Sequence, residues 1–290
     1  QTADETLGKG LYDFRDTGFY AETYSRYQGD YETEVTAGFK YVDKVFPNYS
    51  SLLSEINPDD LGGTLNAAAK NEKNSATYTV YGSVDTKLGN SGWFPSLYVS
   101  FDTTPYRNQQ VINDKGLLSS GLRTDSLITA EIRFPYFADD VTGAGIGYTL
   151  LLKSSNQNYY DSLGTLAIAD DVFTENYYSY TGHRISLNVT YETDIRLFNS
   201  YKPVISIGFD AEGTGYTSRK AKDVSGKYTG VNQSDYNYNI NAEFRHKLAD
   251  FWSYYVNFKF ARFGSNMKWE AYGTYNYTYV MLSLGTALSF

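Results

Sequence analysis

Cysteine is absent from the 290 residues. That excludes disulfide scaffolds, thiol catalysis and thiolate zinc sites, and it leaves the compartment open, because an oxidising space permits disulfides without requiring them. Histidine occurs only twice, and six prolines stand against 25 glycines. Positive charge is in deficit: 25 Lys and Arg face 33 Asp and Glu, a net charge of −8. A nucleic-acid binder that works by neutralising phosphates does not have this balance. Long hydrophobic runs are missing too. The longest mainly apolar stretch, Val141–Leu152, is broken by three glycines and falls far short of the roughly 20 residues a spanning helix needs. No initiator methionine heads the chain, so Gln1 reads as a processed start with any export signal already removed.

What the chain has in excess is tyrosine, 30 of them, within 17% aromatic residues; a disordered tail is not built this way. The apolar residues repeat with period two. Leu97, Val99 and Phe101 oppose Ser96, Tyr98, Ser100 and Asp102. Ile128, Ala130, Ile132 and Phe134 oppose Thr129, Glu131 and Arg133. The same pattern runs through Ala144–Leu152, Ile185–Tyr191, Ile205–Phe209, Tyr238–Phe244 and Trp252–Phe260. Each reads as a strand with one apolar and one mainly polar face. A soluble sandwich alternates as well, but these segments run for about 10–14 residues against the usual 5–6, and a tilted strand crosses a bilayer in about 9–11. Tyr78, Tyr106, Phe134, Tyr136, Tyr177, Tyr178, Tyr180, Tyr191, Tyr236, Trp252 and Tyr254 gather near strand ends, as aromatic girdles at two membrane interfaces do.

The spacing therefore predicts an all-β fold: a transmembrane antiparallel up-and-down β-barrel, one domain over residues 1–290. Short connections (Leu88–Gly92, Ala138–Thr142, Leu197–Tyr201, Leu248–Asp250) alternate with long ones (Phe46–Lys73, Arg107–Thr124, Ser155–Ser179, Thr217–Ser234, Gly264–Gly273). Threading the chain accordingly, from Tyr31–Lys44 to Tyr275–Phe290, gives ten strands with both termini on one side. Gly10–Gln28 also carries strand character. It raises twelve strands as the alternative, with residues 1–18 as an N-terminal arm on the turn side or in the lumen as a third arrangement.

The last segment reads Tyr-Thr-Tyr-Val-Met-Leu-Ser-Leu-Gly-Thr-Ala-Leu-Ser-Phe, with Val280, Leu282, Leu284 and Leu288 on one face and Phe290 at the end. This resembles the C-terminal assembly signal of Gram-negative outer-membrane β-barrels. The resemblance implies short periplasmic turns, long extracellular loops, location in the outer membrane of a Gram-negative bacterium, outer-membrane lipid as surroundings and the barrel-assembly machinery as a partner during insertion. It spans about a dozen residues and points to no narrower family.

Barrels of this size include enzymes, but the residues for catalysis are hard to assemble here. Proteases of the omptin type need paired acids and a His–Asp pair at the outer rim. Asp139-Asp140 falls in a short turn, and neither Asp59 nor Asp170 lies near His183 or His246 in sequence. A phospholipase needs a serine–histidine pair, yet His183 and Ser186 point to opposite faces of a strand. Both histidines share the parity of the apolar residues and read as interfacial belt residues. The sequence predicts no enzyme, cofactor, metal site or nucleic-acid partner.

The inward face instead carries Asp85, Lys87, Asp102, Glu131, Arg133, Lys153, Arg184, Glu192, Asp210, Glu243, Arg245 and Lys259. Signs are mixed along single strands, as in Asp85 with Lys87, Glu131 with Arg133 and Glu243 with Arg245. An unpaired charge in a narrow lumen is costly, so a cross-strand network is expected. Gly143, Gly145 and Gly147 make room opposite Glu131 and Arg133. Eight-stranded barrels are filled by side chains and 16-stranded ones hold water. Ten strands lie near the filled end, where such a network plugs the lumen. The outer loops offer two short helix-like patches, Ser50–Ile56 and Gly63–Lys70, and apolar residues Leu163, Leu166, Ile168, Val172 and Phe173 for a cap or binding surface. Two functions follow: a narrow channel or uptake protein for a small solute, lined by those ten charged residues other than Asp102 and Lys153, or a surface-binding (adhesin or receptor) or structural barrel with a plugged lumen.

Overall fold

The computed structural model describes residues 13–49, 71–161, 172–197, 201–270 and 275–288. Among them there is no helix. Thirteen strands follow one another: β1 (Arg15–Gln28), β2 (Glu32–Val45), β3 (Ser75–Lys87), β4 (Ser96–Ile112), β5 (Leu118–Phe137), β6 (Gly143–Ser155), β7 (Tyr159–Asp161), β8 (Val172–Thr174), β9 (Tyr180–Glu192), β10 (Val204–Lys222), β11 (Tyr228–Ala249), β12 (Trp252–Ser265) and β13 (Tyr277–Leu288). Eleven form a single antiparallel up-and-down sheet in chain order, with β7 and β8 as a separate hairpin. The sheet thus has one strand more than the ten expected. The addition is β1, paired along its whole length with β2. Residues 15–18 of the expected arm belong to this strand, while residues 1–12 lie outside the described part. The free edges of the sheet are β1 and β13.

Register places the apolar residues side by side. One row runs Phe134, Ile146, Leu187, Phe209, Ile240, Phe260, Val280 across seven strands. Such cross-strand neighbours each add about 0.2–1 kcal/mol. A one-residue slip would exchange the two faces, so the alternation itself fixes the pairing. The apolar face is not covered by a second layer. Ala76, Ala221, Ala261 and Met267 are the only buried hydrophobic residues among those described, whereas Ile207 is 52% and Leu284 75% exposed. The buried polar set is larger and includes Arg123, Asp125, Gln157, Gln233 and His246. A water-soluble sandwich buries its apolar face; here the distribution is inverted.

Three glycines let a tyrosine lie flat on the neighbouring strand. A Cβ on Gly38, Gly264 or Gly285 would run into the ring of its direct cross-strand partner, Tyr81, Tyr236 or Tyr255. Lying over Gly38, the Tyr81 ring reaches past β2, and its hydroxyl donates to Glu22 of β1 at 2.6 Å. Aromatic pairs stand at both ends of the strands, Trp93 and Tyr136 at the short-turn end, 5.1 Å apart, and Tyr41 and Tyr78 at the other, also 5.1 Å apart.

Two expected long loops are instead tall hairpins. β4 and β5 continue to residues 112 and 118, and β10 and β11 to 222 and 228, each pair through register shifts. The five-residue tips are built alike. Asn113 Oδ1 accepts from Lys115 N and Leu117 N at 3.0 and 2.9 Å, and Asp223 Oδ1 from Ser225 N and Lys227 N at 2.8 and 3.1 Å. In both, the fourth residue is a glycine with positive φ, Gly116 at 75° and Gly226 at 84°, a conformation that costs a side-chain-bearing residue energy. Hydrogen bonds from the Ser225 hydroxyl and then the Lys227 amide hold the Asp223 carboxyl below its usual range.

Candidate functional site: the polar face and its tall-hairpin end

The register sets Asp85, Glu131, Arg133, Arg184, Glu192, Asp210, Glu243, Arg245 and Lys259 on the face opposite the apolar rows, with Lys87 closing β3 on the same parity. It does not weld them into the expected network. Glu131–Arg133 and Glu243–Arg245 are ion pairs within one strand, the latter at 2.9 Å. Asp85 accepts from Ser83 Oγ at 3.0 Å rather than pairing with Lys87, whose ammonium lies 5.9 Å from the Phe94 ring. Arg184 finds Glu212 across the strand boundary, Nε and Nη2 both donating to Oε2 at 2.8 and 2.5 Å. Glu192 lies 3.7 Å from Lys202, and Lys259 sits 5.6 Å from the Tyr279 ring. Isolated pairs replace the continuous plug because carriers that share a row, such as Asp85 with Arg133, Glu131 with Arg184 and Glu192 with Arg245, are held apart by an intervening strand that carries no charge there. The strand-β6 glycines make room less for Glu131 and Arg133 than for β9: a Cβ on Gly145 would meet Asn188 Oδ1, and one on Gly147 Ser186 Oγ.

Between these pairs the face is hollow. One concavity of about 580 Å³ is bordered by Arg26, Glu32, Glu34, Asp85, Lys87 and Arg133. A second, of about 390 Å³, lies over β9–β13.

The tall-hairpin end of the sheet carries a constellation that sequence reading misses. Arg123 forms a two-pronged bond to Asp125 at 2.9 and 2.6 Å and is clamped between the rings of Tyr106 and Tyr178 at 4.5 and 4.4 Å. Asp125 also accepts from Ser155 Oγ at 2.6 Å and lies 3.2 Å from Lys153. Arg219 is clamped in the same way between Tyr177 and Tyr216, at 4.7 and 4.9 Å. Tyr177 and Tyr178 touch edge to face at 5.2 Å, which joins the two clamps into one ladder of four tyrosines and two arginines running from β4 to β10. A desolvated cation over an aromatic face contributes about 2 kcal/mol, and truncating a buried paired charge costs about 3–5 kcal/mol. The local signals were Tyr106, Tyr177 and Tyr178, read as girdle aromatics but set against the two arginines instead, and Arg123-x-Asp125, opposite charges at the boundary of the segment Arg107–Thr124 read as loop.

The β7–β8 hairpin leans on this ladder. Asp161 accepts from Tyr228 OH at 2.7 Å and is ion-paired with Lys222. Asn158 Nδ2 donates to Ile112 O at 2.7 Å, and Tyr159 stacks on Tyr177 at 4.6 Å. The hairpin is thus pinned to both tall hairpins. Burial alone would raise the Asp161 carboxyl, but the bonds from Lys222 and Tyr228 hold it below its usual range. Val172 and Phe173 fall in β8; Leu163, Leu166 and Ile168, the two helix-like patches, Asp59, Asp170 and Phe290 lie outside the described residues.

His183 shares a 2.7 Å hydrogen bond with Tyr148 OH on the apolar face. His246 is fully buried, with Nε2 3.1 Å from Tyr201 O and its ring 5.6 Å from that of Tyr254, so the expectation of an interfacial belt residue is corrected. Among the described residues no group of three His, Cys, Asp or Glu is placed to hold a metal. No known family model matches the chain, and no curated protein or solved structure shows significant similarity to it.

Proposed function

We propose that the sheet closes on itself into an outer-membrane β-barrel, with the apolar face toward lipid, and acts as a narrow channel or uptake protein for small solutes. The observation that supports this most strongly is the inversion of burial: among the described residues four small or flexible apolar side chains are buried, against a continuous exposed apolar face. In water that face would be an aggregation surface; in a bilayer it is solvated, while open strand edges are not tolerated there. Closure therefore joins β1 to β13. Eleven alternating strands make the first and last run in the same direction, so the seam is a parallel pair; odd strand numbers do occur in membrane barrels. The tall hairpins and β7–β8 then stand at the extracellular mouth, and the short turns face the periplasm.

The lumen of this barrel is wide enough for water between its ion pairs, which favours conduction over a plug. A capped, surface-binding barrel is the second reading, favoured by the Tyr–Arg ladder across the mouth. Reconstitution into a planar bilayer distinguishes them. The channel reading expects discrete ion-conducting steps, and a barrel that inserts but stays silent at all voltages would overturn it.

A further inference from the structure

The concavity over β9–β13 differs in chemistry from the rest of the polar face. Asn188, Gly208, Asn241 and Lys259 share one row, and Thr190, Ser206, Glu243 and Asn257 the next. The charged side chains bordering it, Glu243 and Lys259, have opposite signs. The concavity over β1–β5, by contrast, is bordered by six charges.

Its amides are also uncommitted. Elsewhere asparagines tie backbone together: Asn74 accepts from Phe46 N, Asn156 donates to Leu122 O, and Asn266 donates to Asn232 O. Asn188, Asn241 and Asn257, which line this concavity, make no side-chain hydrogen bond to another described residue. Two rows further along β11, Asn237 Oδ1 is buried without a partner. The space before these amides comes from glycines. Gly145 lies beneath Asn188, and a Cβ on Gly208 would meet nothing nearer than Leu187 O at 3.9 Å.

Each amide offers two donors and an acceptor. Only a ligand that both donates and accepts along its length matches several of them without burying a charge. We propose that this hollow is the selectivity site for a small uncharged polyhydroxylated solute, a neutral sugar. The assignment rests on the channel reading and names its substrate class. A volume of about 390 Å³ lies within the range of ligand pockets, and the wet, neutral lining gives weak binding, as a site that must also release its solute requires.

The test measures ion current through the reconstituted protein while sucrose is titrated, with polyethylene glycol of matching size as a probe that cannot donate along its length. Saturable block by sucrose alone, weakened at least tenfold in Asn188→Leu/Asn241→Leu and in Gly208→Leu with open current retained, is the expected result. The Gly208 variant keeps the amides and fills only the hollow, so it reports even where the double variant does not fold. Equal, non-saturating block by both probes in a conducting wild type overturns the sugar site and leaves the channel standing. Absence of current overturns the channel. Calorimetric titration of the detergent-folded protein with sucrose then decides the site: heat lost in Gly208→Leu supports it, and no heat with wild type overturns it.

Discussion

Replacing Ile207 by arginine probes which face meets lipid. Ile207 lies in β10 between Val189 and Ala242 on the apolar face and is 52% exposed. It stands three residues from Val204, where β10 begins beside a short connection. At about 3.3 Å per residue and a tilt of about 40°, that is roughly 8 Å along the barrel axis. In an apolar band about 25 Å tall this places Ile207 some 4–5 Å short of the midplane. Arginine costs about 2–4 kcal/mol at the midplane and about 0–1 at the interfaces, so the expected loss is about 2 kcal/mol, or roughly 30-fold in the folding equilibrium. Ser206, the next residue, faces the other way, with its Oγ 3.1 Å from Thr190 Oγ1 and Glu243 directly opposite. Ser206→Arg should cost under about 1 kcal/mol, because the guanidinium meets water and a carboxylate. Reversible urea titration of both variants folded into lipid vesicles gives the two values. Equal costs, or a cost below about 0.5 kcal/mol for Ile207→Arg, would refute the assignment of faces.

Gly285→Ala should destabilise by about 1–3 kcal/mol through the clash with Tyr255, and most of that loss should vanish in Gly285→Ala/Tyr255→Ala, a non-additivity that the same titrations measure. The depressed Asp161 carboxyl contributes stability that is present above its unfolded value near 3.9 and lost as pH falls through the lower folded value; hydrogen exchange in β7–β8 should therefore rise below about pH 4 in the wild type and lose that dependence in Asp161→Asn. If the channel conducts, Arg133→Ala/Arg245→Ala should shift selectivity toward cations, since Glu131 and Glu243 lose their positive partners; unchanged selectivity in a folded double variant would take these residues out of the ion path.

The strands were legible because a period of two is a local property: Leu97, Val99 and Phe101 declare their face without knowledge of any neighbour. β1 is harder to read, since Phe19 and Ala21 on one face alternate with Tyr20 and Glu22 on the other, and nothing in the segment says which neighbour it pairs with. The hairpin tips were present as Asn113-x-x-Gly116 and Asp223-x-x-Gly226, but turn residues inside a polar stretch also describe a loop, so both hairpins are taller than the spacing suggests. Partner choice was beyond local reading. Arg184 pairs with Glu212 rather than Glu192 because antiparallel register brings position 212 opposite 184. The Tyr–Arg ladder depends on contacts between residues up to 55 apart in the chain, Arg123 with Tyr178, and on irregular pairing at both tall hairpins.

Closure of the sheet is the central claim, and a disulfide across the seam tests it most directly. The chain has no cysteine of its own, so every cross-link reports engineered positions. Leu284→Cys on β13 is combined separately with Phe19→Cys, Ala21→Cys or Thr23→Cys, all on the apolar parity of β1. Adjacent strands lie about 4.8 Å apart, within the span a disulfide bridges. Closure predicts an intramolecular cross-link in at least one of the three pairs after folding into lipid vesicles. Cross-links only between separate molecules, or to Ala37→Cys and Phe39→Cys on β2 with none to β1, would contradict the eleven-stranded barrel.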